Sequence, residues 1–456
     1  MASPAIPTVT ILSLLPLLIL LLSSSFSSMA SPASTTTTKE YPTFLHCFSG
    51  KLPPSTDLSQ LVFSRNSSSY TTILHFSAQN PYLLSPSSLT TKPLYVITPR
   101  NEPQIQASLL CAKRHGLQVR VRSGGHDYEG LSYVAREPFL LLDLINYRAI
   151  YRVNVDERTA WVQAGATIGE LLVPVPPSVT VFTVSRTLEE GAEKLFNVWQ
   201  KVSALQLPEE LTIRVILQAV VTGRRTVQAT FNSLYYGTVP DLLRIMNRDF
   251  PELGLKAEDC EEMSWVESTM YFAGINITSG TPKEEALLNR SQPATNSFKN
   301  KSDFVKKPIS EKGLRGIWNK LLEEERGMMI LEPLGGKVDA VSESGTPFPH
   351  RKGNLYNIQY VVTWLEGADA NKYIDWMRSL HKFMTPYVSQ SPRGAYLNYR
   401  DLDLGMNEGP DTSYQAASVW GLKYFKGNFR RLALVKGRVD KENFFRSEQS
   451  IPPLLA

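Results

Sequence analysis

The sequence predicts an α+β fold from three observations. A strand–helix–strand succession with short connections occupies the first part of the 456-residue chain, which is typical of a mixed α/β region. A later region runs strand, helix, strand, strand, helix, which is typical of a lobe built on an antiparallel sheet. A content of 42% hydrophobic and 20% charged residues indicates a packed globular chain rather than a disordered or fibrous one.

The N-terminal elements follow from periodicity and stop signals. Apolar residues at helical spacing predict a helix over 102–115, which Gly116 ends. Apolar or alternating runs predict strands at 93–98, 118–122, 139–144 and 159–162. Thr167 and Glu170 form a capping box that announces another helix, but three prolines between 174 and 177 prevent it. A start signal without a helix body indicates that something has been removed here.

The second region has its own pattern of elements. A capping box at Thr187 and Glu190 opens a helix, and a tight turn at Gly223 joins two alternating strands. The predicted strands are 179–184, 211–221, 226–231, 328–331, 356–363 and 395–398, and the predicted helices are 187–202, 240–250, 314–325 and 371–387. The order of these elements predicts an antiparallel sheet, with the helices at 314–325 and 371–387 on the other side from the first two helices.

The first 30 residues predict a signal peptide. The apolar run at 11–22 falls short of the roughly 20 residues that span a membrane, and small residues before and at Ala30 suit cleavage there. A signal anchor is the alternative, because no Lys or Arg precedes the run. Acceptor sequons for N-glycosylation, three of them in a polar region that resembles an exposed loop, occur at Asn66, Asn276, Asn289 and Asn300. We therefore expect a secreted monomer in the extracellular space or cell wall, with the vacuole as the alternative destination.

Charge and cysteine content exclude other classes of function. A net charge of +5 without a Lys/Arg block gives no support to nucleic-acid binding. Three widely spaced cysteines and six histidines without a ligand motif make a metal site improbable. An oxidising compartment favours one disulfide among Cys47, Cys111 and Cys260.

A glycine turn follows the strand at 118–122. Gly124 and Gly125 allow a backbone nest whose N–H groups can approach a pyrophosphate, and His126 comes next. A plain turn and a packed loop histidine are the alternatives.

Longer strings resemble one family, the plant berberine bridge enzyme-like oxidases. They are 121–133 (VRSGGHDYEGLSY), 259–268 (DCEEMSWVES), 394–405 (GAYLNYRDLDLG) and 443–454 (NFFRSEQSIPPL). The resemblance implies a two-lobed FAD-linked oxidase fold of the vanillyl-alcohol-oxidase type. Its flavin domain would combine 31–172 with the returning segment 394–456, and 173–393 would form the substrate-binding domain.

The resemblance also assigns roles to residues. It implies that His126 is bound covalently to FAD and that Cys47 and Cys111 form the structural disulfide. The residues that it implies around the cofactor are Arg122, Ser123, Gly124, Gly125, Asn398, Asn443 and Phe444.

The implied reaction moves a hydride from a small-molecule substrate to the flavin and then to molecular oxygen or another acceptor. Gln359 stands where berberine bridge enzyme has Glu, and an amide cannot act as a base. This favours an alcohol, monolignol or sugar substrate, with Tyr396 or Tyr399, partly deprotonated by nearby positive charge, as the base. Tyr128 would line the same pocket. Simple core packing is the alternative for each tyrosine.

One departure from the family pattern affects the whole prediction. The string at 165–171 is followed in the family by a helix, a cysteine that makes a second bond to the flavin, and glycine-rich strings. Here a Pro-rich string at 173–177 follows at once, so we place a deletion at Leu172/Val173. The expected cofactor link is then through His126 alone. The alternative is a flavin-free, inactive secreted glycoprotein, or a truncated gene product, that retains only the substrate lobe.

Overall fold

The computed structural model describes residues 42–86, 88–154, 156–157, 159–167, 178–274 and 296–455. The predicted signal peptide, the sequons at Asn276 and Asn289, and the Leu172/Val173 junction lie outside these ranges. No helix within them has the length and apolar character needed to cross a membrane.

A four-stranded sheet forms the N-terminal part of the described chain. Its strands are β1 (Val62–Ser64), β2 (Tyr95–Ile97), β3 (Gln118–Arg122) and β4 (Phe139–Asp143), in the order β1-β2-β4-β3. β4 pairs in parallel with both β2 and β3, and all its residues are buried because helices cover both faces. These helices are α1 (Pro42–Ser49), α2 (Tyr70–Phe76) and α3 (Glu102–Arg114). The Cys47–Cys111 disulfide joins α1 to α3, so the predicted pairing is confirmed.

A separate hairpin follows this sheet. It consists of β5 (Ile150–Asn154) and β6 (Thr159–Val162), which pair only with each other among the described strands. Its apolar residues Tyr151, Val153 and Trp161 are 42%, 58% and 62% exposed. Exposed apolar side chains are expected on a hairpin whose sheet has lost the neighbouring strands that would cover them.

The larger sheet is antiparallel throughout. In the described chain it contains seven strands in the order β10-β7-β9-β8-β12-β13-β11. They are β7 (Val179–Thr187), β8 (Leu211–Thr222), β9 (Arg224–Tyr235), β10 (Cys260–Met263), β11 (Ser297–Val305), β12 (Gly327–Pro333) and β13 (Tyr356–Trp364). The α+β class and the antiparallel lobe predicted from sequence are therefore confirmed.

Helices cover one face of the larger sheet and leave much of the other half-buried. The described helices after the hairpin are α4 (Ala192–Val202), α5 (Val239–Asp249), α6 (Trp265–Ala273), α7 (Glu311–Glu323), α8 (Lys337–Ala340), α9 (Ala370–Phe383), α10 (Tyr414–Phe425) and α11 (Asn428–Val439). Residues of α4, α7 and α9 pack with the inward residues of β8 in one core cluster, so the expected placement of the helices at 314–325 and 371–387 on the other side is wrong. Alternate residues of β8, such as Arg214 and Gln218, lie on the half-buried face.

Two predicted elements differ from the structure. The strand at 395–398 is wrong, because Leu397–Tyr399 form a 3-10 turn and the Tyr396 N–H donates to Ser302 Oγ at 2.8 Å rather than to a sheet neighbour. The helix at 187–202 is divided, because Gly191 takes a left-handed conformation (φ 90°) between a 3-10 turn and α4.

The expected exposure of Asn300 is also wrong. This residue lies within β11, is 4% exposed, and its Oδ1 accepts a hydrogen bond from Gln359 Nε2 at 3.3 Å. A side chain so placed cannot carry a glycan in the folded protein. Asn66, in contrast, is exposed in the turn after β1.

A buried ionic row runs along β11 and joins distant parts of the chain. Lys299 pairs with Glu129 and with Asp401 at 3.0 Å, while Lys301 pairs with Asp401 at 2.7 Å. Although burial alone would lower the pKa of Lys299, Glu129 and Asp401 raise it above its ordinary value. The row therefore holds the loop after β3 and the C-terminal segment against the edge of the larger sheet.

One buried histidine, His350, and one partly buried histidine, His381, predict a stability change with pH. Burial, aided by Lys426, lowers the pKa of His350 to about 3, and burial with Arg393 lowers that of His381 to about 3. Because each pKa is higher in the unfolded chain, the unfolded state binds more protons below about pH 6.5. This stability is complete above that pH and is lost as the pH falls toward 3.

We expect the melting temperature of the chain to fall between pH 7 and pH 5. His350→Phe, which keeps a ring against Phe304 (centroids 4.0 Å apart), should show a smaller fall in circular-dichroism melts. The exposed residue His46 supplies the control substitution, His46→Phe. An unchanged pH slope in the His350 variant would contradict this origin.

Candidate active site

The glycine turn lies at the carboxyl end of β3. Gly125 has φ 74°, and a Cβ there would overlap the carbonyl oxygen of Ser77. A Cβ on Gly124 would overlap only the ring of His126, an exposed side chain that can move, so the structure requires glycine at position 125. His126 is exposed, while Ser123 Oγ donates to the Ala164 carbonyl. The turn thus combines a tight backbone at Gly125 with an exposed histidine.

The Arg122 side chain supports this turn from within. Its Nη2 lies 2.6 Å from Asp143 Oδ2, and its Nη1 donates to the Leu74 carbonyl at 2.7 Å. The residue is fully buried. Its guanidinium is therefore used internally, and only its backbone is available to a ligand at the turn.

Three of the predicted pocket tyrosines form one aromatic cluster. The Tyr128 and Tyr399 rings are stacked, with centroids 5.7 Å apart and planes 4° apart. Tyr396 meets Tyr399 edge-on at 4.9 Å. Tyr128 lies two residues after His126, so the short loop after β3 brings the imidazole and the cluster into one region.

Gln359 connects this cluster to the larger sheet. From the centre of β13 its Nε2 donates to Tyr128 Oη at 3.2 Å and to Asn300 Oδ1 at 3.3 Å. Burial is the main cause that raises the pKa of Tyr128. Gln359 therefore orients a neutral phenol.

The electrostatic environment of Tyr399 differs from the predicted one. Its Oη donates to Glu332 Oε2 at 3.3 Å, and burial followed by the negative charge of Glu332 raises its pKa well above the usual range. The expectation that nearby positive charge partly deprotonates Tyr399 is wrong. The phenol is held protonated, with a carboxylate in place to take its proton.

The remaining predicted cofactor residues lie in different surroundings. Asn398 is exposed and its Nδ2 donates to Tyr396 Oη at 2.9 Å. Asn443 is buried and donates to the Pro410 carbonyl at 2.9 Å. Phe444 packs against the core between α1, α3 and the four-stranded sheet. Thus Asn398 joins the tyrosine cluster, Phe444 packs on the core of the four-stranded sheet, and Asn443 is hydrogen-bonded within the C-terminal segment.

Sequence reasoning missed two charged residues on the half-buried sheet face, Glu332 and Arg214. The predicted strand at 328–331 stopped one residue before Glu332. A carboxylate that continues the alternation of a strand was the available signal for it. For Arg214, the signal was a cation between two apolar residues of an alternating strand.

The residues present fit a flavin at the glycine turn. Gly125 leaves no room for a Cβ, and the exposed residue His126 lies two residues before Tyr128 of the tyrosine cluster. In the same sheet, a cavity of about 260 Å³ lies at the carboxyl ends of β2 and β4, lined by residues that include Phe63, Ile73, Thr98 and Asp143. Crevices at the carboxyl ends of parallel strands are common nucleotide sites.

Comparisons with known proteins agree with this reading. A family model described as "Berberine and berberine like" matches residues 395–452, and one described as "FAD binding domain" matches 93–174. Berberine bridge enzyme-like 22 from Arabidopsis thaliana is 39% identical over 516 residues, covering 92% of this chain and 96% of that protein. Tetrahydroberberine oxidase from Berberis wilsoniae is 37% identical, covering 91% and 94%.

Solved structures are also similar to this chain over most of its length. Phl p 4, a grass pollen allergen with glucose dehydrogenase activity, has a TM-score of 0.82 at 36% identity, covering 91% of this chain and 100% of that one. Berberine bridge enzyme-like 28 from Arabidopsis thaliana has a TM-score of 0.79 at 36% identity, covering 90% and 99%.

The aligned length also bears on the deletion. The 516 aligned residues of the first relative exceed the 456 residues of this chain, so that relative carries residues without a counterpart here. The FAD-binding match ends at residue 174, next to the predicted junction.

Proposed function

Because this chain belongs to the berberine bridge enzyme-like family of FAD-linked oxidoreductases, we propose that it oxidises a primary or secondary alcohol of sugar or monolignol type. The proposal includes secretion and a flavin linked through His126 alone. The observation that supports it most is the Tyr399–Glu332 pair beside the stacked Tyr128 ring. This pair can accept a proton from a hydroxyl group.

The chain's residues would divide the work around the cofactor. The glycine turn and His126 would hold FAD, which supplies the hydride acceptor when bound. Stacked aromatic rings provide a flat apolar wall for a sugar or phenolic ring. Gln359 would fix the Tyr128 hydroxyl as a neutral hydrogen-bonding group.

The proton would move through Tyr399. A substrate hydroxyl that donates to Tyr399 Oη can pass its proton to that oxygen while Tyr399 passes its own proton to Glu332. The hydride leaves the carbon that carries this hydroxyl group. The alcohol thus loses two electrons and two hydrogens and becomes a carbonyl compound. A phenol with a raised pKa suits this relay role, because it carries a proton to transfer at neutral pH.

Flavin content and reduction together test the proposal. The full secreted chain should keep yellow absorbance in the protein pellet after acid precipitation. Anaerobic addition of D-glucose or coniferyl alcohol should bleach that absorbance. A folded protein that is colourless after purification would overturn the proposal.

The exposed apolar side chains of the β5–β6 hairpin favour a second candidate function, that of a flavin-free binding protein. The larger sheet of the chain has its own core cluster, and it could bind a saccharide or phenol without redox chemistry. This candidate predicts a cooperative melt and ligand-induced stabilisation without any flavin spectrum, which the same preparation distinguishes.

A further inference from the structure

A cavity of about 110 Å³ lies between the four-stranded sheet and the C-terminal segment. Its walls are formed by Gln118, Arg120, Arg136, Glu137, 407–410 and 446–448. Gln118 is the first residue of β3, whereas the glycine turn follows the last residue of that strand. The two ends of a five-residue strand are roughly 13 Å apart, so this cavity is separate from the turn proposed to hold the flavin.

The walls contain buried polar atoms that lack a partner. Gln118 Oε1, Arg120 Nε and Arg446 Nε have no hydrogen-bond partner among the residues that the structure describes. Gln118 and Arg120 are only 8% and 4% exposed. Folded proteins pair nearly all of their buried polar atoms with protein, water or a bound ion. Three such atoms around one cavity therefore indicate a binding site for a polar ligand.

The unpaired atoms define what this ligand must offer. Gln118 Nε2 donates to Glu137 Oε2 at 2.9 Å, and because a carboxylate only accepts, this bond fixes the orientation of the amide. The free Gln118 oxygen is then an acceptor, while the Nε atoms of Arg120 and Arg446 are donors. A ligand that pairs with all three needs acceptor oxygens and a hydroxyl group of its own.

Two of the arginines have no carboxylate within hydrogen-bond distance in the described chain. Arg446 Nη2 lies 3.9 Å from Glu137 Oε2. Arg136 Nη2 contacts the Met406 sulfur at 3.3 Å, and no described carboxylate forms an ion pair with it. Guanidinium groups in this state favour an anionic ligand.

Carboxylates in the same walls limit the charge of that anion. Glu448 pairs with Arg120 at 3.0 Å, Glu137 accepts from Gln118, and Glu408 is exposed. The cavity is thus lined by three arginines and three glutamates. This balance favours an anion that keeps a proton over one that is fully ionised.

We propose that the cavity binds a protonated tetrahedral oxyanion, of which inorganic hydrogen phosphate is the simplest example. The phosphate oxygens would accept from Arg120, Arg136 and Arg446, and a phosphate hydroxyl would donate to Gln118 Oε1. Arg136 is exposed and Arg446 is half-buried, so both side chains can turn toward the ion. The bound ion would join the sheet to the C-terminal segment. This role goes beyond the proposed function and requires neither flavin nor oxidation.

Two anions of the same shape test the inference. Isothermal titration calorimetry of the full secreted chain compares sodium phosphate with sodium sulfate near neutral pH and at constant ionic strength. Sulfate carries no proton there and cannot donate to Gln118. We expect phosphate to bind about tenfold more tightly, the usual effect of one hydrogen bond to a buried group. A third titration with glycerol 3-phosphate distinguishes the free ion from a phosphate monoester, and tighter binding of either than of sulfate supports the inference.

Substitutions test the donors and the acceptor separately. Gln118→Met keeps a side chain of similar length without the acceptor, so it should reduce the affinity for phosphate to that for sulfate. Arg446→Gln should weaken the binding of both anions about tenfold, because each loses a charged donor. Arg136→Gln should act in the same direction, and it changes an exposed residue, so folding is preserved.

The control is Arg114→Gln, which removes the same charge from the exposed end of α3. It should leave both affinities unchanged. Equal binding of phosphate and sulfate to the parent chain, or no measurable binding of either anion, overturns the inference. Phosphate binding that is the same in the parent and in both arginine variants also overturns it, because the ion would then lie elsewhere.

Discussion

Replacing His126 with alanine is expected to remove all covalently bound flavin from the chain. The proposed function links the flavin through His126 alone, since Cys47 and Cys111 are paired and Cys260 lies on β10 of the larger sheet. Under that proposal no cysteine would replace the lost imidazole. In-gel fluorescence of the denatured protein measures the loss, which should be complete rather than partial.

The matched control for this substitution is His46→Ala, which removes an exposed histidine from α1. The control should keep the fluorescence of the parent chain. The His126 variant should still fold, because the residue is exposed. Retained fluorescence in the variant would assign the link to another residue and would refute the role given to His126.

Replacing Tyr399 with phenylalanine should lower the rate of flavin reduction by roughly 10²–10⁴-fold, the usual contribution of general acid–base catalysis. The substitution keeps the stacked ring against Tyr128 but removes the hydroxyl that donates to Glu332. Glu332→Gln should slow reduction in the same direction, because an amide cannot take the proton. Single-turnover absorbance changes with D-glucose or coniferyl alcohol measure both effects.

Tyr373→Phe on α9 is the control, since that ring stacks on Trp364 away from the site. Both site variants should retain the flavin content of the parent, which separates a catalytic loss from a loss of cofactor. Rates within a few-fold of the parent in Tyr399→Phe would show that the proton leaves by another route. In that case Tyr396, whose hydroxyl accepts from Asn398, would be the next residue to test.

Much of the fold was predictable because local signals and tertiary structure agree. The turn at Gly223 needs a positive φ (81°), which glycine supplies, so the β8–β9 hairpin could be inferred from sequence. The helix at 102–115 follows an Asn101 cap whose side chain accepts from the Gln104 N–H. In both cases the residue type meets a requirement of its own backbone.

The predictions that failed concern contacts between residues that are far apart in the chain. Lys299 and Lys301 look like exposed charges in a polar segment, but their carboxylate partners lie 170 and 100 residues away. Asn300 lies between these two lysines on the same buried strand. A sequon alone does not show whether its asparagine is buried. The prediction of positive charge near Tyr399 failed for the same reason, because Glu332 lies 67 residues before it. The family resemblance supplied the pocket tyrosines but not the sign of the charge around them.

The ionic row on β11 has a practical consequence for where the molecule can be divided. A fragment cut at Arg393 would keep Lys301 and lose both of its acidic partners, Asp401 and Asp403. It would also uncover the edge strand of the larger sheet. Expression boundaries for the substrate lobe should therefore extend past Leu404, so that the unit carries its own neutralising groups.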